Sequence, residues 1–521
     1  MLKNLNKNLV FIGSTCLFSL AIALGFEFLV NSVFPQPSFF FSRSRFIAVA
    51  GVISSSICLI RYRKYFYENL HQAFLLISLV FGISFILVFP RTVYLSPDDQ
   101  IHFKNAYFFM DDTVELRGGF SAIESISFTN VDGKGFDEMA AMYSSMNNAN
   151  NIVINDQYHP SDSPRLYSRI VYLPFYLGFK ISNLFHLSFT TSIMIAKIFN
   201  LICYILLVYF AIKESGRFNR IFFVIGLLAC NIFLATQFSY DPLVLGSLLL
   251  AISLFLHIRQ TEHASTSYLL GFILAATFGS LSKAVYCPIL LLALMIPNSK
   301  FDCKKRAIAF KICAMLVMLV LASTFILPIL SGGLASDIRG GDTSVSGQIG
   351  FLISNPLKAL TIIFTYITNQ WPNLILDPTM SFTSLGAVAT AAPIHNICLP
   401  IIPMVGMLSL LVILWSTFST NLSGTSITKQ SKIGLAIIYA VLLGATTASM
   451  YLSFTSVGST HVDGVQPRYL MPFFPLFLIP LMPFWQTRSK EESPRNSIVL
   501  MVPYLCLLLI LSTYVLQVSR L

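Results

Sequence analysis

Apolar runs of about 20 residues recur from one end of the chain to the other, and each is long enough to cross roughly 30 Å of hydrocarbon as a helix. They predict an all-α polytopic membrane protein with about 13 transmembrane helices. The runs lie near residues 9–31, 45–60, 72–90, 190–212, 219–237, 241–258, 268–282, 284–298, 308–330, 394–416, 433–454, 468–486 and 497–517. The short pair meeting around Gly279 to Cys287 reads either as two spans or as a re-entrant hairpin. The first run, Leu9 to Val30, is longer than a signal-peptide core, and no small-residue cleavage site follows it, so it is expected to be a retained span.

The polar intervals orient these spans. Basic clusters occur at Lys3/Lys7, Arg61 to Lys64, Lys213 to Arg220, Lys300 to Arg306, Lys429/Lys432 and Arg488 to Arg495. Placing them all on the cytoplasmic side gives a consistent alternation with the N-terminus inside. The chain then divides into N-terminal helices (1–90), a large first outer-face loop (91–189), central helices (190–330), a second outer-face loop (331–393) and C-terminal helices (394–521). A short third outer loop spans 455–467. Within the first loop, Gly133 to Asp162 is rich in Asn, Ser and Asp and predicts irregular backbone. The segment Arg169 to Lys180 then turns amphipathic and aromatic, as expected of a helix lying among headgroups or of one more span. No internal repeat of the inverted transporter type is visible.

Composition sharpens this picture. Of 521 residues, 55% are hydrophobic and 11% charged, with a mean hydropathy of +0.73; soluble domains carry roughly 25% charge. A net charge of +11 could suggest nucleic acid, but the basic residues sit in short loops between spans, so no nucleic-acid partner is expected. The nine cysteines lie almost entirely in apolar runs and form no disulfide framework or metal-ligand pattern. No Walker or Ser-His-Asp pattern appears, which argues against a nucleotide-driven pump.

Candidate chemistry gathers just past the run Phe74 to Phe89, in Ser96-Pro97-Asp98-Asp99-Gln100-Ile101-His102-Phe103. Ionisable groups beside a bilayer are costly to keep and point to function. On a helix beginning near Pro97, Asp98 and His102 share a face while Asp99 points aside. A carboxylate there can take a proton from a hydroxyl group; it can equally cap the helix. Three such groups are few for a divalent metal. Arg468, in Asp463 to Pro472, stands at the mouth of a span, where a guanidinium can fork onto phosphate or anchor at the interface beside Tyr469. Lys283 sits between two short apolar runs, either coordinating phosphate or marking a turn. Asp241, in Tyr240-Asp241-Pro242, reads first as a helix cap. Lys197 and Asn200 lie within an apolar helix and are expected to face the bundle interior. The first outer loop also holds Arg91, Arg117, Arg165 and Arg169.

Together these residues resemble a known pattern. An acidic pair in the first large outer loop is the hallmark of membrane glycosyltransferases of the GT-C fold, and within that group the chain resembles the bacterial family called domain of unknown function 2142. That family typically reads P-D-E-x-x-H-F where this chain has Pro97-Asp98-Asp99-Gln100-Ile101-His102-Phe103. Further matches are Tyr172-Leu173-Pro174, Ala196-Lys197-Ile198-Phe199-Asn200, Phe238 to Pro242, Leu281-Ser282-Lys283 and Arg468-Tyr469-Leu470-Met471-Pro472, over roughly residues 70 to 485. Two departures conserve charge: Asp99 replaces the usual Glu, and Lys197 the usual Arg.

The resemblance implies a GT-C-like helix arrangement in the bacterial inner membrane and an inverting sugar transfer on its outer face. The donor would be a polyprenyl-phosphate sugar and the acceptor a cell-envelope glycan or lipid, with membrane lipid around both. Asp98 or Asp99, with His102, would supply the base; Arg468 and Lys283, with Tyr469 and Arg91, would hold the lipid phosphate; Asp241 and Lys197 are secondary candidates. No cofactor and no metal is implied. A flippase or transporter of lipid-linked saccharide, and a polysaccharide polymerase or ligase using outer-loop arginines, are the alternatives.

Overall fold

The structure, a computed structural model, describes residues 2–33, 41–89, 96, 98–107, 109, 169–330, 341–379, 383–385, 399–420, 422, 427–483 and 493–518. Among these residues every regular element is helical and there is no strand. Eight helices are long and apolar enough to cross a membrane: Val10–Val33, Arg43–Arg61, Leu70–Val88, Thr191–Glu214, Asp241–Gln260, Lys304–Leu327, Lys429–Ser453 and Ser497–Leu516. Two bent pairs raise the number to ten if each is one span.

The difference from the 13 runs in the hydropathy pattern has local causes. Thr266–Ser280, the 3-10 helix Ala284–Met295 and Ile402–Phe418 are apolar but only 10–17 residues long. Within the run 468–486, the described residues, up to 483, do not form a continuous helix. Prolines 467, 472, 475 and 480 remove backbone donors there, leaving two 3-10 turns, Pro467–Tyr469 and Met471–Phe473, and the seven-residue helix Pro475–Leu481. Residues 219–237 form a pair of helices bent by 70°. The carbonyls freed at that break are met from inside: Asn231 Nδ2 donates to Ile225 C=O at 2.7 Å and the Tyr204 hydroxyl donates to Gly226 C=O at 2.7 Å. The second outer loop is more structured than expected. It contains Val345–Ser354 and Pro356–Leu376, bent by 107° and apolar enough together to be a broken span or a re-entrant loop.

Asp241–Gln260 is the central helix, with 83% of its apolar window buried against 17% for the peripheral Lys304–Leu327. It packs on Phe189–Glu214 and Thr266–Ser280. Most of the bundle shares one apolar core that includes Phe74, Phe81, Leu248, Phe255, Leu290 and Phe473. At one margin of the bundle, Glu27 and Arg45 form a buried fork (Oε1 to Nε 2.7 Å, Oε2 to Nη2 2.6 Å) that ties the first helix to the second. A charge pair at that depth persists because each group satisfies the other.

A second cluster packs against this bundle at the end where Asp241 begins its helix. Phe103, Tyr107, Val171, Tyr172, Phe175, Phe179, Ile193, Ala196 and Phe238 form it. The helix Leu173–Leu184, with 12 residues too short to cross a bilayer, brings Phe175 and Phe179 to this cluster. It does so by lying against Phe189–Glu214 at Gly178, where a Cβ would stand 2.6 Å from Ala196 Cα. Backbone, not a flexible side chain, would be in the way. Gly178→Ala is therefore expected to lower stability by about 1–3 kcal/mol through overpacking. Gly444→Ala, at a helical glycine with nothing within 4 Å, should be neutral or mildly stabilising. Thermal unfolding in detergent compares the two, and equal midpoints would refute this close crossing.

Candidate functional site

The acidic segment enters this second cluster as the helix Asp99–Tyr107. Phe103 and Tyr107 lie on its packed side, with Phe103 edge-on to Phe179 (5.7 Å, 88°) and to Phe238 (5.1 Å, 83°). This aromatic contact sets the rotation of the helix and hence where its polar residues point. The helix starts at Asp99 rather than near Pro97, because Asp98 has φ +59° and stands outside it. That conformation costs a non-glycine residue on the order of 1–3 kcal/mol unless its surroundings hold it. Here the Asp98 carbonyl accepts from the N–H groups of Ile101 and His102, both at 2.9 Å. Asp98 is both a helix start and a projecting carboxylate.

The expected division of the two aspartates is found. Asp99 is wholly buried, and its charge acts on Lys197. Lys197, itself 3% exposed, faces the interior, donates to Gln237 Oε1 at 2.9 Å and lies over the Phe238 ring. Asp98 instead keeps 31% of its side chain exposed and faces Arg468, with Oδ2 3.9 Å from Nη2. His102 is buried on the Asp98 side. Its Nδ1 lies 2.8 Å from the Tyr172 hydroxyl and its ring stands edge-on to Tyr240 (4.8 Å, 77°). Burial lowers the imidazole pKa to about 4 against the opposing pull of Asp241 and Asp98, while Arg468 and Lys283 assist the shift.

Asp241 joins the remaining candidates. Lys283 Nζ donates to its Oδ1 at 2.8 Å, and Arg468 Nε lies 2.9 Å from its Oδ2. The second contact is an ion pair without hydrogen-bond alignment, and Arg468 Nε and Nη1 have no hydrogen-bond acceptor although the side chain is only 4% exposed. Lys283 also lies 3.8 Å from the centroid of the Tyr469 ring and 5.2 Å from that of Tyr240. Burial works against the charged form of both cations, but the Asp241 carboxylate outweighs it and raises both pKa values. Beside the pair lies a small cleft, with room for about one water, lined by Asn231, Leu234, Asp241, Pro242, Leu245, Arg468 and Met471.

Asp98, His102, Asp241, Lys283, Arg468 and Tyr469 thus meet at one end of the bundle. Arg259, near the far end of the Asp241 helix, is about 27 Å away at 1.5 Å per residue. Arg91, and the loop residues Arg117 and Arg165, lie outside the described residues. Among the described residues no group of three His, Cys, Asp or Glu side chains is placed to hold a metal ion. Sequence reasoning underrated Asp241, whose position before Pro242 suits a simple cap. It also missed Tyr172 and Tyr240 as the walls around His102. An acidic group opening a buried apolar helix was the available signal for Asp241; for the tyrosines it was their place in the matched segments Tyr172-Leu173-Pro174 and Phe238 to Pro242.

A neutral buried His102 has a signed consequence. Between pH 6.5 and about 4 the unfolded chain binds a proton that the folded chain does not, so stability is full above pH 6.5 and falls as the pH drops through that window. His102→Gln, which cannot titrate, should flatten this part of the profile. Thermal midpoints in detergent at pH 7 and pH 4.5 test it; the same pH slope in both proteins would contradict a neutral His102.

No curated protein and no solved structure matches the chain. One family does, over residues 79–477, from within the Leu70–Val88 helix through Asp98, Asp241, Lys283 and Arg468. That match spans well over half of the sequence and every member of the charged cluster, and the chain therefore belongs to the family described as Predicted membrane protein (DUF2142).

Proposed function

We propose that this protein is a GT-C-type glycosyltransferase of the bacterial inner membrane. It moves a sugar from a polyprenyl-phosphate donor to a cell-envelope glycan or lipid acceptor, with inversion. The observation that carries this reading is the pairing of one accessible carboxylate with a buried and a partly buried cation: Asp98, 31% exposed, beside Arg468, which shares Asp241 with Lys283. Such a pairing suits a reaction that needs a base on one side and charge neutralisation on the other.

In this mechanism the acceptor hydroxyl oxygen attacks the anomeric carbon while Asp98 takes its proton. The bond from that carbon to the phosphate oxygen breaks, and its electron pair leaves on the phosphate, which Arg468 and Lys283 neutralise. Asp98 is assigned as base over Asp99, because Asp99 is wholly buried and its charge acts on Lys197. His102 and Tyr172, hydrogen-bonded to each other, position the acidic turn. Arg259, Lys300 and Lys432 make their contacts at the other end of the bundle. The positive-inside rule then puts that end and the N-terminus in the cytoplasm and the charged site on the outer face. There a lipid-linked donor supplies activated sugar without a nucleotide.

Sugar transfer by purified protein in liposomes, from a polyprenyl-phosphate sugar to candidate acceptors, tests this. Asp98→Asn should lower turnover about 100-fold or more, the scale of a lost general base. Asn accepts a left-handed φ as readily as Asp, so this variant removes charge rather than the turn. Arg468→Ala should raise KM for the donor and lower kcat together. Undiminished transfer by Asp98→Asn would exclude it as the base, and lipid movement across the bilayer without any transfer would favour a flippase.

A further inference from the structure

Asp241 holds its two cations differently. Toward Lys283 it accepts a hydrogen bond of 2.8 Å. Toward Arg468 it is close, at 2.9 Å, yet the Nε–H is not aligned with it. The guanidinium carries five N–H donors in a rigid fork suited to oxyanions. Nε and Nη1 are nonetheless buried with no acceptor, in a side chain 4% exposed. Leaving such donors unmade costs free energy in any protein. The Ser282 hydroxyl, next to Lys283, is also buried without a hydrogen-bond partner. Charge at Arg468 is therefore compensated while its hydrogen-bonding capacity is not. A planar carboxylate already committed to Lys283 cannot supply both, whereas a tetrahedral oxyanion has oxygens enough to do so.

We infer that Asp241 is a resident anion on Arg468, which a phosphate group displaces while Asp241 keeps its hydrogen bond to Lys283. The carboxylate keeps the guanidinium charged and in place, and it sets the affinity of the site by competing for it. Asp241 is a positioning and specificity residue in this role. Its competition disfavours weak anions, since only a group able to occupy the unaligned donors gains over what it replaces. The inference rests on the reading of Arg468 as the phosphate-binding residue, and it names the group that phosphate must displace.

Removing the competitor should tighten phosphate binding. The test measures thermal unfolding of the full-length protein in detergent, in phosphate-free buffer and with two probes titrated separately, inorganic phosphate and farnesyl phosphate. Asp241→Asn keeps the shape of the side chain and removes its charge. It should melt lower than wild type without phosphate, be restored by phosphate, and bind it about tenfold or more tightly, a difference of about 1.4 kcal/mol. The gain should vanish in Asp241→Asn/Arg468→Ala. Tightening with farnesyl phosphate alone would assign the site to a lipid headgroup, and tightening with both would assign it to phosphate generally; either supports displacement. Unchanged or weaker binding in Asp241→Asn, or a loss of fold that phosphate does not restore, would overturn it. Because binding is read without turnover, this outcome is separate from that of the glycosyltransferase reading: wild type that binds phosphate but transfers no sugar would remove the latter alone.

Discussion

Lys283 and Arg468 come from segments far apart in the chain and share a single carboxylate, Asp241, at the head of the most buried of the long apolar helices. Two cations at such a position repel each other and lose hydration, and several kcal/mol of desolvation attends each buried ion. Asp241 offsets both effects by placing one oxygen on each cation. The helix that begins there therefore has its first turn fixed to the segment after Ser280 and to the 3-10 turn at Pro467–Tyr469. Much of the surrounding backbone follows from this arrangement. The 3-10 helix Ala284–Met295 and the proline-broken stretch after Arg468 both pack beside the Asp241 helix.

The acidic turn is held in a different way. Its helix is also seated by aromatic packing, with Phe103 edge-on to both Phe179 and Phe238. Once that face is fixed, the neighbouring aspartates are separated by direction. Asp99 goes inward to a region where Lys197 compensates it, and Asp98 turns outward through a left-handed φ. Two adjacent acids of identical chemistry thus acquire different environments from a single backbone turn, and only one of them is left accessible.

Irregular backbone is concentrated where the charged groups meet. Unpaired carbonyls and amides are not tolerated against lipid, so such segments must be buried in protein or line a polar cavity. The break at residues 226–229 meets this condition with Asn231 and Tyr204, and a similar requirement falls on the loop before Arg468. There Gln370 grips Val462 through both its N–H and its C=O, and Gln348 accepts from the Gly458 N–H. The bent helices of residues 345–376 consequently brace the segment that presents the arginine.

Hydropathy and charge determined the class of this protein: a helical membrane bundle with a few ionisable residues near span ends. That Asp98 and Asp99 point apart was legible too, although the cause is the left-handed φ of Asp98 outside the helix and not the helical periodicity the pattern suggested. So was the interior position of Lys197, since a lone cation in an apolar helix must face away from lipid. Other features were beyond reach of the pattern. Residues 468–486 are apolar enough to suggest a span, and the prolines that prevent it are as compatible with a kinked helix as with 3-10 turns. The helices of residues 345–376 hid behind Gly347, Gly350, Asn355 and Pro356, which read locally as loop. Only the tertiary structure decided that Asp241, a plausible helix cap, is the shared partner of Lys283 and Arg468. Helix capping is a local interaction written in neighbouring residues. Charge pairing between distant segments depends on which of them the fold brings within 3 Å of one another.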